Sequence, residues 1–365
     1  MKFLAEQSEM LFYLQACMKV SPQRSTIPSL EGIYLCCVEN EMNISATNLE
    51  VGIRCKFPAH TEKDGAVVLP AKLGEIVRMI NDSKVEVEVE DNFKALINCS
   101  NVNFQLNGLN PLDFPELPDF NKDIDWTINT GLFKEMIRQT AFCVSSDEGK
   151  APLTGIQFSV EKDVLTLTSS DSFRLSVKRG NIENVSGKEM NFILPVKIIN
   201  EMVKFNFSQE KILVTLDEKN QILFKVDNFL FFSKLLEEKY PAIEKVIPME
   251  FNTTLTALKN DLVGCLQRII LISEGNNFIT KIEVRDKTAV FLANSEMGSV
   301  EEQVEIEKQG EDVDIYLNSR FLIEPLRYIE GDQVKLNFSE TNGPCVITPF
   351  DEEDAYLYLV LPIKS

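Results

Sequence analysis

Histidine is almost missing from this chain: His60 is the only one in 365 residues, and tryptophan also occurs once. A single imidazole, in a polar stretch that reads as a turn before Asp64-Gly65, leaves the Ser/His and Cys/His classes of nucleophilic catalyst with no base but that residue. The eight cysteines, at 17, 36, 37, 55, 99, 143, 265 and 345, include no C-x-x-C pair. Zinc-site spacing is therefore absent, and no metal or other cofactor is expected. Cys36 and Cys37 are neighbours on a predicted strand, so they point to opposite faces and cannot ligate one ion together. They read as small buried hydrophobes. Positive charge is scarce, 37 Lys and Arg against 56 Asp and Glu, for a net charge of −19. As a bare sum that speaks against a nucleic-acid partner. No apolar run is long enough for a membrane-spanning helix, so no membrane partner is expected. Met1-Lys2-Phe3-Leu4-Ala5-Glu6 reads as a strand, not as the basic-then-apolar start of a signal peptide. A cytoplasmic location follows as an expectation, and with it reduced thiols.

What is present is a threefold repeat with a period of about 120 residues. Leu30-Glu31-Gly32-Ile33-Tyr34-Leu35 returns as Leu153-Thr154-Gly155-Ile156-Gln157-Phe158 and as Ile279-Thr280-Lys281-Ile282-Glu283-Val284. Ala46-Thr47-Asn48-Leu49-Glu50 matches Ser169-Ser170-Asp171-Ser172-Phe173 and Ala293-Asn294-Ser295-Glu296-Met297. Leu69-Pro70-Ala71-Lys72, Leu194-Pro195-Val196-Lys197 and Leu317-Asn318-Ser319-Arg320 each follow a strand and open a helix. Three domains of ordinary size are expected, at 1–122, 123–247 and 248–365, each able to bury its own core.

Apolar residues at helical spacing predict two helices per repeat, near 8–20, 71–82, 130–145, 195–206, 256–273 and 318–330. Ser8 is a candidate N-cap for the first, and Leu255, Leu258, Leu262, Leu266 and Ile269 form the stripe of the fifth. Between the helices lie alternating strands such as Val85-Glu86-Val87-Glu88-Val89, with turn signals at Asp91-Asn92, Asp217-Glu218-Lys219-Asn220 and Thr341-Asn342-Gly343. The fold class is α+β: three tandem domains, each with two helices laid on antiparallel sheet and an internal pseudo-two-fold. The six predicted helices carry 11 Lys or Arg against 8 Asp or Glu, so the acidic excess lies elsewhere. Lys197 with Lys204 and Arg320 with Arg327 are spaced to share a helical face, as are Lys134 and Arg138. The summed bias of the six helices favours a shared basic surface over unrelated solvated faces.

These residues resemble one family, the beta subunit of bacterial DNA polymerase III, the sliding clamps, over the whole chain. The resemblance rests on Met1-Lys2-Phe3, Arg24-Ser25-Thr26-Ile27-Pro28, Ala46-Thr47-Asn48-Leu49-Glu50, Val68-Leu69-Pro70-Ala71-Lys72, Asp113-Phe114-Pro115-Glu116-Leu117-Pro118, Arg174-Leu175 and Tyr240-Pro241. It implies a non-catalytic head-to-tail homodimer that closes six domains into a ring around duplex DNA, helices inside. It places Arg24, Lys72, Arg78, Lys134, Arg138, Lys197, Lys204, Arg320 and Arg327 against DNA. It also implies an apolar pocket that takes short linear motifs from the polymerase alpha subunit, the clamp loader and repair proteins. Carried over, that pocket uses Leu153, Ser170, Ser172, Phe173, Arg174, Leu175, Pro241, Lys245, Val246, Asn318, Phe321, Val346, Leu359, Val360 and Leu361. The ring interface is assigned to Phe104 and Leu106 of one chain against Leu271 and Ile272 of the next, with Glu301, Glu302 and Glu305 nearby. Two departures from the family pattern stand out: Ser172-Phe173 replaces Gly-His, and Leu361-Pro362-Ile363-Lys364-Ser365 replaces a methionine-rich tail.

Two rival classes remain at this stage. One is an acid-dependent enzyme using Asp351-Glu352-Glu353-Asp354, although four successive carboxylates on a turn diverge rather than converge on one ion. The other is a repeat-built adaptor that binds proteins without DNA.

Overall fold

The computed structural model describes every residue except 82, 100, 101, 121, 122, 218, 340–342, 352–354, 364 and 365, and all side chains of these but that of Glu244. Thr341, Asn342, Glu352, Glu353, Asp354, Lys364 and Ser365, named above, and Asp82 and Glu218, which end a predicted helix and sit in a predicted turn, lie outside the described residues. Among the described residues there are six α-helices: α1 (Gln7–Val20), α2 (Leu73–Met79), α3 (Thr130–Thr140), α4 (Val196–Met202), α5 (Lys259–Ser273) and α6 (Ser319–Leu326). None is long and apolar enough to cross a membrane. Every sheet pairing between neighbouring strands is antiparallel.

Several local expectations need correction. Ser8 does not cap α1; the helix starts at Gln7, whose amide donates to the Ser83 carbonyl at 2.8 Å, so the residue just before the strand Lys84–Val89 satisfies this orphan donor. Leu255 and Leu258 belong to the strand Thr253–Leu258, which pairs on both sides, with Gln333–Phe338 and with Ile306–Gly310. The stripe that α5 buries is Leu262, Cys265, Leu266 and Ile269. His60 is not in a turn but opens the edge strand His60–Lys63, paired with Lys2–Glu6. Lys204 lies in the turn beyond α4, so it shares no helix with Lys197.

The chain forms two compact units. One contains Met1–Thr130, Glu183–Gly187 and Lys197–Leu235, the other Gly131–Ile182, Lys188–Val196 and Leu236–Ser365, so the middle repeat contributes elements to both. In the first unit, α1 packs on α2 and on the strands Glu41–Thr47 and Val51–Pro58. An aromatic cluster extends from Tyr13, stacked on Phe57, through Phe229 to Phe12 and Phe205. The unit has a five-stranded and an eight-stranded sheet, separated where Val51–Pro58 gives way to His60–Lys63. Pro58 has no N–H to carry the ladder across. In the second unit the equivalent strand, Gly298–Gly310, is unbroken for 13 residues and joins everything into one twelve-stranded sheet. There α5 and α6 pack together over a core that includes Phe291, Phe338 and Tyr358.

One connection recurs. In the first unit Phe229–Ser233 pairs with Val51–Cys55, and in the second Tyr356–Val360 pairs with Arg174–Lys178. A strand of one repeat thus continues the sheet of another at two equivalent places.

Candidate functional site

The second of these junctions holds a small apolar cavity of about 190 Å³. Its floor is Leu175 and Leu359, directly opposite each other across the strand pair, and its walls include Leu153, Pro241, Ile243, Val246 and Leu361. Ser170, Ser172 and Arg174 supply the polar edge. The turn at 170–174 is held by its own side chains: Asp171 Oδ1 accepts from the amides of Phe173 and Arg174 at 2.9 and 3.1 Å, and Ser170 Oγ donates to the Arg174 carbonyl at 2.7 Å. Ser172 is driven to φ +83, a left-handed conformation that favours glycine.

Arg174 is a structural wall rather than a free cation. Its Nε donates to Asp171 at 2.8 Å, Nη2 donates to the Phe142 carbonyl at 3.0 Å, and Nη1 pairs with Glu324. Its guanidinium lies 4.4 Å from the centre of the Phe321 ring. Burial pushes the nearby Tyr240 phenol and Cys143 thiol well above their ordinary values, so both stay neutral. The chain terminus closes the rim: the Leu361 amide donates to the Phe173 carbonyl at 2.9 Å, and Ile363 donates to Tyr316 at 2.8 Å.

The structure therefore brings Leu153, Ser170, Ser172, Arg174, Leu175, Pro241, Val246, Leu359 and Leu361 to one cavity. Phe173 stands outside it, 59 % exposed, with Lys150 Nζ over its ring. Lys245 is exposed on the short 3-10 turn Ile243–Val246. Asn318 caps α6, accepting from the amides of Arg320 and Phe321. The Phe321 ring packs on the Arg174 guanidinium, Val346 lies beside the floor directly opposite Leu359, and Val360 belongs to the helix-side core. Ile243 was not expected here; its signal was an apolar residue two positions after Pro241.

The cationic residues fall into two sets. In the first unit Arg24 is exposed on the loop after α1, Lys72 precedes α2 and pairs with Glu75 at 2.6 Å, and Arg78 is exposed in its last turn. Lys197 is exposed at the start of α4, and Lys204 pairs with Glu201 at 2.6 Å. In the second unit Lys134 and Arg138 lie one turn apart on α3; desolvation, then Arg138, lowers the Lys134 pKa. Arg320 is exposed over the Phe278 ring, and Arg327 is exposed at the end of α6.

Three sequence models match: the N-terminal, central and C-terminal domains of the DNA polymerase III beta subunit, over residues 1–118, 127–242 and 244–364. A beta sliding clamp of Halalkalibacterium halodurans is 31 % identical over 95 % of both chains. The chain belongs to the bacterial beta sliding clamps. The beta sliding clamp of Bacillus subtilis is 28 % identical over the full length of both chains. The crystal structure of the Bacillus subtilis DNA polymerase sliding clamp covers 100 % of this chain and 99 % of that one, with a TM-score of 0.95 and 29 % identity. Three tandem clamp domains are thus the architecture, and the family is a non-catalytic processivity factor of DNA polymerase III. That sets aside the acid-dependent enzyme.

Clamp architecture makes the two junctions directly comparable. Val346, Leu357 and Leu359 under Ile243 and Ile247 in the second match Leu223, Leu230 and Phe232 under Leu117 and Phe120 in the first. The first has Gly52 where the second has Leu175, and the Phe232 ring lies so close over Gly52 that a Cβ there would collide with it. At the first junction an aromatic ring covers the position that forms the pocket floor in the second.

Proposed function

We propose that two copies of this chain close head to tail into a ring of six domains, bounded at 1–122, 123–247 and 248–365, that encircles duplex DNA and tethers replication partners through the Leu175–Leu359 pocket. The observation that carries this reading is the pair of strand edges left unused by the repeat. Two of three equivalent junctions are made within the chain. For the third, the outer side of Gly298–Glu305 and that of Val102–Asn107 carry no strand partner among the described residues. One chain's edge then continues the next chain's sheet, a heterologous contact that closes after two copies.

The repeat also gives the register. Cys55 faces Phe229 and Lys178 faces Tyr356. Counted from the hairpin pairs Thr47–Gly52, Ser170–Leu175 and Asn294–Ser299, Glu302 takes the place of Cys55 and Lys178. Val102, which opens its strand as Phe229 does, takes the other side. Glu301 then faces Asn103 of the partner copy, and Val300 faces Phe104. Phe104 holds the place of Phe231 and Tyr358, both buried, so it points toward the helices, where Leu271 is 67 % exposed. Leu106 and Ile272 flank this contact. Glu302 is engaged by Arg268, whose Nε donates at 2.9 Å, while Glu301 and Glu305 are exposed.

The nine basic residues would face phosphates in the ring. A sparse lining suits sliding, because each neutralised phosphate adds salt-dependent affinity that would hold the clamp in place. The pocket, apolar with a few fixed polar groups, has the form of a site for short peptide motifs from a polymerase, a clamp loader or repair proteins. A cytoplasmic setting fits these partners. The dimer is tested by solution mass, expected at twice the 41.4 kDa chain. The register is tested by cysteine pairs: Asn103→Cys with Glu301→Cys should oxidise to a covalent dimer, and Asn103→Cys with Gly298→Cys should not. A monomer, a trimer or the reverse cross-linking preference would contradict the ring.

A further inference from the structure

Straight cross-strand rows run over the outer face of the twelve-stranded sheet. One is Leu175, Leu359, Val346, Asn337, Thr254 and Gln309, each directly opposite the next. It begins as the floor of the pocket and becomes polar after Val346. Asn337 Nδ2 donates to the Val346 carbonyl at 3.2 Å, and Thr254 Oγ1 donates to Asn337 Oδ1 at 2.8 Å. Over the polar half lies a separate groove of about 700 Å³, floored by Thr254, Thr256, Asn337 and Thr348.

The half-exposed rings of Phe251 and Phe350 stand at the margin of this groove, with Lys335 Nζ 5.1 Å from the Phe350 ring centre. The segment between pocket and groove exposes two apolar side chains, Val246 at 43 % and Met249 at 95 %, with Glu250 exposed beside them. Phe251 continues that segment directly into the groove. Pocket and groove are thus two ends of one surface, built on the same strands and linked by a connector with outward apolar side chains.

We propose that this groove is a second docking point for the polypeptides that use the pocket, taking an aromatic side chain of the partner between Phe251 and Phe350 while its extended backbone crosses the connector. The proposal rests on the reading of the pocket as a peptide site. Three strand spacings separate the two centres, about 15 Å, which an extended chain covers in about five residues at about 3.3 Å each. The second anchor therefore sits five or six residues from the side chains that enter the pocket. An aromatic suits the site because ring edges and faces pair with Phe251 and Phe350, and the threonine and asparagine floor offers hydrogen-bonding groups to a passing main chain.

The test uses the full-length clamp and synthetic peptides. A short peptide ending in Leu-Phe is compared with peptides extended by eight residues, on either side, that carry a tryptophan six residues from the Leu-Phe pair. One extended peptide should bind about tenfold more tightly than the short one, as a good aromatic pairing allows. Phe350→Ala and, independently, Thr256→Arg should each remove that gain while leaving the short peptide's affinity unchanged. Equal binding of short and extended peptides to the wild type, or a gain that survives both variants, would overturn the second docking point. Failure of the short peptide to bind at all would instead overturn the pocket reading beneath it.

Discussion

At the scale of single residues, the site depends on side chains whose obvious chemistry has been used up. Arg174 reads from sequence as a cation available to a ligand, but the fold gives it to Asp171, Glu324 and the Phe142 carbonyl, so it shapes the pocket rather than charging it. Six of the eight cysteines are equally internal, whereas Cys36, expected to be buried, and Cys99 are partly exposed. Cys17, Cys37, Cys55, Cys143, Cys265 and Cys345 are buried thiols. Burial pushes Cys265 up to about 12 from an ordinary value of 9.0, and Cys55, Cys143 and Cys345 are raised well above theirs for the same reason. A thiol raised on folding keeps its proton in the native state after the unfolded chain has lost it. Its contribution is thus intact below pH 9 and lost as pH climbs from 9 toward 12, at about 1.4 kcal/mol per thiol per pH unit. Melting temperature should hold between pH 7 and 8.5 and fall steeply by pH 10.5. A flat profile to pH 10.5 would show that these thiols are not buried as described.

At the scale of elements, most of the fold was legible because its periods are clean. Val85–Val89 alternates strictly and forms a strand; Leu11, Leu14 and Met18 mark a helical face and α1 forms there. Illegibility began where one apolar pattern served two structures. Leu255, Leu258, Leu262 and Leu266 fit a helical stripe, yet the first two complete a strand, because Thr253–Leu258 has β-pairing partners on both sides that no local pattern shows. The pocket was legible only through family resemblance. Ile243 escaped because its role depends on the connector folding onto Leu175 and Leu359, and Phe232 because its effect depends on a glycine 180 positions earlier in sequence but directly opposite in the sheet. That last contact makes a sharp prediction. Gly52→Ala should cost about 2 to 3 kcal/mol, since the added methyl meets the Phe232 ring. Phe232→Leu, which copies the second junction, should recover most of the loss in a double-mutant cycle. Additive losses in chemical denaturation would mean that the ring and the glycine are not coupled.

At the scale of the whole molecule, a net charge of −19 and a DNA-encircling role are compatible because charge is placed rather than summed. The exposed Lys and Arg at or beside the helices are few, and two of them, Lys72 and Lys204, are already paired with Glu75 and Glu201 on the adjoining helices. Such a surface cannot hold DNA tightly at physiological salt. In the ring proposed above, retention comes from closure, and closure from the strand edges at Val102–Asn107 and Gly298–Glu305 that carry no partner among the described residues. Salt and topology separate the two modes of binding. The most direct measurement loads the protein onto a nicked circular plasmid with a bacterial clamp loader and ATP, strips the loader in 0.5 M NaCl, and follows the DNA-bound protein by gel filtration before and after one restriction cut. The account predicts stable retention on the circle and loss within minutes of linearisation. Equal retention on circular and linear DNA, or loss from both in high salt, would contradict it.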